Sequence, residues 1–274
     1  MVTLKEALKN KLSKKDLNLV PSSFDIIGTI ALFSKLSKEL KNKEKIIAKT
    51  LIDLNKNIKT VVKKTEKYSG RLRLQKVKII AGEKTKETIH KENNVTLKLN
   101  IETCYFSPRS GSERLRIAKL VKNNESILTL FSGIAPFPLT IERNSNPKEI
   151  YAIELNKECH KYAKENLLLN KSRKIILFQG DVKKVLPKIK KKFDRIIIPL
   201  PKSSKSYLDL ALKHSKKNTV IHFYDFSKEN EFPQASIKKI EKYCKIKLIN
   251  AVKCGNYSPY TYRVCIDFRP LAIK

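Results

Sequence analysis

Four stretches of the sequence end in residues able to hold or shape a ligand. Phe131-Ser132-Gly133-Ile134-Ala135-Pro136 follows the apolar run from Ser126 to Phe131, and its one glycine lets a backbone approach a bound molecule. Tyr151-Ala152-Ile153-Glu154 ends in a carboxylate, the group that accepts from a ribose diol at the tip of a second strand. A third run ends at Gly180-Asp181, where Asp181 accepts from an adenine amino group or caps the following helix. The fourth, Arg195-Ile196-Ile197-Ile198, runs into Pro199-Leu200-Pro201, which cannot continue a sheet ladder. The first loop is not GxGxxG, so a dinucleotide pyrophosphate is not expected there. The four ends fit a nucleoside-bearing cofactor without a pyrophosphate, S-adenosylmethionine first among them. Phe131, Gly133, Glu154, Leu155, Asp181, Val182 and Pro199 are the expected cofactor contacts from these ends.

The elements that must position these ends alternate. After Ser107 the pattern predicts a helix over Ser112–Val121, strands at Ser126–Phe131 and Glu149–Ile153, a helix over Lys157–Asn170 and a strand at Lys174–Phe178. A helix near Val182–Lys190, a strand at Asp194–Ile198, a helix at Ser206–His214, a strand at Thr219–Tyr224 and a helix at Glu229–Tyr243 follow. Two closing strands, Lys245–Val252 and Tyr262–Phe268, have no helix between them and predict an antiparallel hairpin at one edge. Such alternation implies an α/β fold with an open, largely parallel sheet and helices on both faces. Ligands in such sheets bind beyond the carboxyl ends of the strands.

The earlier part reads as a smaller α+β region. Thr3 and Glu6 have capping-box spacing. Phe24–Leu32, Val61-Val62, Arg71–Ile80 and Val95–Leu99 read as strands, and Glu39–Leu54 as a helix. The expected domains are residues 1–106, the smaller α+β domain, and residues 107–274, carrying the cofactor.

Charge and composition narrow the function classes. A formal net charge of +33 attracts a polyanion and speeds its encounter, which favours nucleic acid as partner. The apolar stretch Ile127–Ile141 is interrupted by Gly133, Pro136 and Pro138 and is too short to span a bilayer. With no apolar signal core after Met1, a cytoplasmic protein without a membrane partner is expected. The 5 cysteines form no CxxC pair and the 4 histidines are scattered, so no metal site is expected.

The motifs YFSPRSGSERLRI, LFSGIAPF, YAIELN, GDV and VIHFYDF resemble the archaeal and eukaryotic tRNA (guanine-37-N1)-methyltransferase family. PSSFDIIGTIAL and GEKTKETIHKEN resemble its RNA-contacting middle domain. The likeness runs from about Val20 to Arg269. It implies a Rossmann-like methyltransferase sheet, S-adenosylmethionine as methyl donor and the anticodon arm of tRNA as partner, with position 37 as target. It also implies that Glu125 occupies the place of the general base, that Arg114 lies against the cofactor, and that Arg109 orients the target base or a phosphate. The family's further N-terminal domain, which grips the tRNA elbow, is not expected in this chain.

Two positions depart from the family pattern. Ala135 stands where glycine is usual, and Pro199 where an Asn-Leu-Pro loop is usual. Proline has no side-chain amide and no backbone N–H. Some archaeal members of the family methylate ring carbon C7 of 4-demethylwyosine at the same tRNA position, and an apolar Pro-Leu-Pro wall suits that tricycle. The expectation is C7 methylation of 4-demethylwyosine in tRNA(Phe). Guanine N1 methylation, or both activities, is the alternative; aminocarboxypropyl transfer and a non-catalytic tRNA-binding protein come after these.

Overall fold

The computed structural model describes residues 2–66, 70–201 and 205–273. The chain divides into two compact units, one reaching to Lys91 and including Thr96–Pro108, the other made of Glu92–Val95 and the chain from Arg109 onward. Among the described residues, no helix is long and apolar enough to cross a membrane.

In the first unit, Thr3 caps the short helix α1 (Leu4–Ala7). Its hydroxyl accepts the Glu6 N–H, and the Glu6 carboxylate accepts the Thr3 N–H at 2.7 Å, the reciprocal pairing that the spacing predicts. A second short helix, α2 (Lys14–Leu19), follows. The expected strand Phe24–Leu32 is instead a hairpin of β1 (Asp25–Ile27) and β2 (Ile30–Phe33). Its turn requires Gly28, at φ +55°, because a Cβ there would lie 2.3 Å from the Ile89 carbonyl oxygen. Helix α3 (Glu44–Leu54) carries the chain to β3 (Thr60–Lys64), parallel to β2. A single 3-10 turn, Lys38–Leu40, stands where the helix was expected to begin. Strand β4 (Val77–Gly82) completes a sheet of order β1-β2-β3-β4. Ile47, Ala48 and Leu51 of α3 pack against Ala31, Phe33 and Val61, forming this unit's core.

Strand β5 (Glu87–Glu92), not foreseen, pairs with β6 (Val95–Asn100). Asn93 and Asn94 turn the chain between them, at φ +47° and +62°, as asparagine does in tight hairpin turns.

The second unit follows the predicted alternation. Its elements are α4 (Gly111–Leu120), β7 (Ser126–Leu130), α5 (Pro136–Asn144), β8 (Glu149–Glu154), α6 (Lys157–Leu169), β9 (Ile175–Gln179), α7 (Val182–Val185), β10 (Phe193–Ile198), α8 (Lys205–Lys213), β11 (Ser215–Lys228), α9 (Gln234–Glu241), β12 (Cys244–Ser258) and β13 (Thr261–Ile273). Helix α5 is the element that sequence periodicity missed. Pro136 and Pro138 lie in its first turn, where an absent N–H leaves no helical bond unmade.

The sheet has order β12-β13-β11-β10-β7-β8-β9. Strands β7 to β11 run parallel to one another, and β13 runs antiparallel to both β11 and β12. The terminal hairpin therefore sits at one edge, as expected. The order reverses between β7 and β10, which makes their carboxyl ends the topological switch point. Side chains alternate across the sheet. Ile196 and Ile198 join the core that contains Leu208, Ala211 and Ile240 of α8 and α9, while Ile197 joins Ile117, Phe137 and Ile141 of α4 and α5.

Candidate cofactor and acceptor site

The carboxyl ends of β7, β8 and β9 are stitched together by backbone hydrogen bonds. The Ser132 N–H donates to the Ile153 carbonyl at 3.0 Å, and the Gly180 N–H to the Glu154 carbonyl at 2.8 Å. The Glu154 side chain adds two more links. One oxygen accepts the Gly133 N–H and the other the Asn156 N–H, each at 2.7 Å. Burial pushes the Glu154 carboxyl above its ordinary range, opposed by these backbone donors. Each carboxylate oxygen has a second lone pair available to another donor.

The loop after β7 is built from left-handed residues: Phe131 at φ +53°, Gly133 at +57° and Ala135 at +68°. Ala135 is the N-cap of α5 and offers no side-chain cap. Its left-handed backbone is the physical reason for a glycine preference there; alanine fits sterically only with strain. The Ser132 hydroxyl is buried without a partner. Phe131 meets the Tyr207 ring edge-on at 4.7 Å.

Asp181 caps α7, accepting the Lys183 N–H at 2.9 Å. Leu155 is half-buried and its carbonyl accepts from Gln179 at 3.2 Å. The Val182 side chain lies within the core, so only its backbone can meet a ligand. A carboxylate with spare lone pairs, a buried hydroxyl without a partner and an aromatic edge at one set of strand ends fit the ribose and base of S-adenosylmethionine.

Pro199 ends β10 in a turn closed on itself: the Leu200 N–H donates to the Ile198 carbonyl at 2.9 Å. Pro199 has no N–H to offer. Pro199 and Leu200 are half-buried and Pro201 is buried, giving an apolar wall beside the switch point.

The residues ahead of β7 separate in space. Arg109 is exposed, in the 3-10 turn Pro108–Ser110 that leads into α4. Arg114 is buried and held by Glu92 through a bidentate pair at 2.5 and 2.7 Å. Glu125 corrects the expectation placed on it, because it precedes β7 and lies at the amino end of the sheet. The strand separates it from the Phe131 loop by roughly 17 Å at the usual rise per residue. Its carboxylate forms a bidentate pair with Arg195, at 2.7 and 3.0 Å. The cavity of about 580 Å³ that Glu125 lines with Lys122, Lys148, Asp194 and Lys216 lies at this same amino end.

A further carboxylate toward the crevice end, not singled out by the sequence, is Glu113. It is buried in the first turn of α4, accepts the Tyr224 hydroxyl at 2.6 Å, and is gripped by Arg116 at 2.7 and 2.8 Å. Tyr224 follows Phe223, the register partner of Ile198, and packs edge-on against Phe137 in the first turn of α5 at 6.0 Å. Glu113 thus stands level with the Pro199 turn. The sequence signal for it was the glutamate inside SGSERLR, one residue before Arg114.

Comparison with known proteins agrees with this geometry. The model of the TRM5/TYW2 methyltransferase domain matches residues 88–252, and that of the TYW2 N-terminal domain matches residues 4–85. A tRNA (guanine(37)-N(1))-methyltransferase Trm5b from Pyrococcus abyssi is 34% identical, over 91% of this chain and 75% of the relative. A tRNA 4-demethylwyosine(37)-methyltransferase Taw21 from Saccharolobus solfataricus is 30% identical, over 89% of this chain and 92% of the relative. The crystal structure of wild-type Trm5b from Pyrococcus abyssi superposes with a TM-score of 0.85 at 33% identity, covering 94% of this chain and 78% of that one. The fold, the linked strand ends and the domain match together establish that the chain belongs to the TRM5/TYW2 methyltransferase family, with S-adenosylmethionine as its cofactor.

Proposed function

We propose that this enzyme methylates the base at position 37 of a tRNA, and that its preferred acceptor is ring carbon C7 of 4-demethylwyosine in tRNA(Phe). The observation that carries the choice of acceptor is the closed Pro199 turn. A wall with no side-chain amide and no N–H at Pro199 pairs poorly with guanine's polar edge, while a flat tricycle gains apolar contact there. The 30% identity to a relative named for 4-demethylwyosine(37) methylation, over 92% of that relative, supports the same acceptor. Guanine N1 is the second acceptor, favoured by the 34% identity to a relative named for that reaction.

When bound, S-adenosylmethionine supplies an electrophilic methyl group. Glu154 accepts the ribose hydroxyls with its spare lone pairs, and Asp181 accepts the adenine amino group. Phe131 and the backbone of Gly133, Leu155 and Val182 line the cofactor, and Pro199 forms the wall next to the acceptor base. At C7 or at N1 the acceptor atom carries a proton that must leave as the methyl arrives. Glu113 is the carboxylate placed to accept it. Arg109, exposed at the start of the second unit, orients the base or a neighbouring phosphate. Residues 1–106 contact the anticodon arm, and residues 107–274 carry the chemistry. The test is incubation with labelled cofactor and two tRNAs, one with guanosine and one with 4-demethylwyosine at position 37, followed by nucleoside mass spectrometry. Label in the tricycle supports the assignment; label confined to guanosine overturns it.

A further inference from the structure

A continuous chain of buried polar groups runs along the α4 face of the sheet, from Glu113 at the crevice end to Glu125 at the amino end. Glu113 is gripped by Arg116. Arg116 reaches Asp267 on β13 at 2.6 and 3.3 Å. Asp267 accepts from His222 Nδ1 at 2.6 Å, directly across the β11–β13 ladder. His222 Nε2 lies 2.7 Å from Arg195 Nη1, and Arg195 closes on Glu125. His222 is 0% exposed, Asp267 1% and Arg195 3%.

The chemistry of the links fixes their states. A guanidinium only donates, so His222 Nε2 must be the acceptor toward Arg195. The imidazole is then neutral, with its proton on Nδ1 and directed at Asp267. Burial favours the same neutral form. The His222, Cys265 and Asp267 side chains cluster closely enough to resemble metal ligands, but His222 and Asp267 are engaged with each other and arginines flank them on both sides.

We propose that Asp267 and His222 are positioning residues for Glu113: they lock the Arg116 fork, and the fork holds the Glu113 carboxylate at the acceptor base. This rests on the assignment of Glu113 as the acceptor of the leaving proton. Arg116 is the only member of the chain that touches both carboxylates, and its side chain is itself partly exposed. A fork anchored at one end alone could swing; anchored at both ends it has one orientation. Neither Asp267 nor His222 lies at the strand ends that hold the cofactor.

The experiment is a double-mutant cycle with a spectroscopic arm. Turnover of labelled tRNA and cofactor affinity by calorimetry are measured for wild type, Glu113→Gln, Asp267→Asn and the double variant. The Nε–H resonance of Arg116, which donates to Glu113, is followed by NMR in wild type and Asp267→Asn. Asp267→Asn is expected to lower turnover by about tenfold with cofactor affinity unchanged, to add nothing in the Glu113→Gln background, and to shift the Arg116 resonance. A merely structural role would lower the melting temperature and multiply the loss equally in both backgrounds. If Asp267→Asn does not fold, His222→Gln takes its place in both arms, because it removes the imidazole that holds Asp267 and keeps the Arg116 Nε–H. Additive losses, or an unshifted Arg116 resonance, overturn the proposal and leave the functional assignment standing. If the wild type methylates neither tRNA, the functional assignment falls, and the resonance alone decides whether Asp267 orients Arg116.

Discussion

The Glu154 carboxylate accepts the Gly133 N–H at 2.7 Å, so the tip of β8 holds the shape of the loop after β7. On the proposed reading, one side chain thereby serves both loop and ligand. Glu154→Ala should weaken S-adenosylmethionine binding by about 1–3 kcal/mol, and Asp181→Ala by a similar amount, the cost of losing a buried polar partner. Because burial raises the Glu154 pKa, protonation sets in above the ordinary glutamate value of about 4.3. A protonated carboxyl is a poorer acceptor for a diol. Affinity should therefore hold at neutral pH and fall on acidification through that raised pKa, and the fall should be absent in Glu154→Gln. Calorimetric titration across pH checks both; unchanged affinity in both alanine variants would remove the proposed pocket.

Ala135→Gly should stabilise the protein. A left-handed backbone at φ +68° costs an L-residue about 1–2 kcal/mol, and glycine returns roughly half of this through its freer unfolded chain. A net gain of about 0.5–1 kcal/mol should raise the urea midpoint without changing the slope.

RNA binding should be steeply salt-dependent. The +33 charge must displace counterions from several phosphates, so affinity for the anticodon arm should fall at least roughly 10²-fold between about 50 and 200 mM salt. Filter binding or fluorescence anisotropy over a salt series measures the slope, and a flat plot contradicts the assignment of tRNA as polyanion.

Pro199→Asn should restore an amide at the acceptor wall and raise guanosine-37 methylation relative to 4-demethylwyosine. The shift should be modest, about fivefold in the ratio of kcat/KM values, since one hydrogen bond with net worth of about 1 kcal/mol is regained. Competition between the two tRNAs measures the ratio directly. A ratio that does not move shows that the Pro199 turn does not select the acceptor.

Glu125→Gln should cost stability and spare chemistry. It leaves the buried Arg195 guanidinium short of its bidentate partner, a loss of about 3 kcal/mol. Turnover per folded molecule should stay within about threefold of wild type, while Glu113→Gln should lose far more. Parallel denaturation and rate measurements on the two variants separate the roles; a collapse of turnover in Glu125→Gln with intact stability would return Glu125 to the chemistry.

The alternation of apolar runs and helical faces made the second unit legible, because each buried strand from Ser126 to Tyr224 is short, apolar and bounded by a turn. The strand-end residues Gly133, Glu154, Asp181 and Pro199 were legible for the same reason: they are whatever follows the run. Helix α5 was hidden by prolines that read as breakers and serve as a first turn. Strand β5 was hidden because its inward face is polar, with Thr88, His90 and Glu92, while apolar Ile89 lies on the exposed face beside Glu87 and Lys91. The Glu113–Glu125 chain could not be read at all. Its links join residues as far apart as Arg116 and Asp267, and only the sheet order brings β11 and β13 side by side. Glu125 was misplaced because its role came from the family resemblance alone; a residue that precedes a strand stands at its amino end, away from the ligand crevice.

The two guanidiniums in the buried chain give it one more property. Arginine does not release its proton under any condition a folded protein survives, so Arg116 and Arg195 insulate what they connect. The chain transmits orientation and blocks conduction: no proton relay can run from Glu113 through Asp267 and His222 to the amino end of the sheet. On the proposed assignment, a proton accepted by Glu113 therefore leaves by a route other than this chain, with the Tyr224 hydroxyl, 2.6 Å away, as its remaining hydrogen-bonded neighbour.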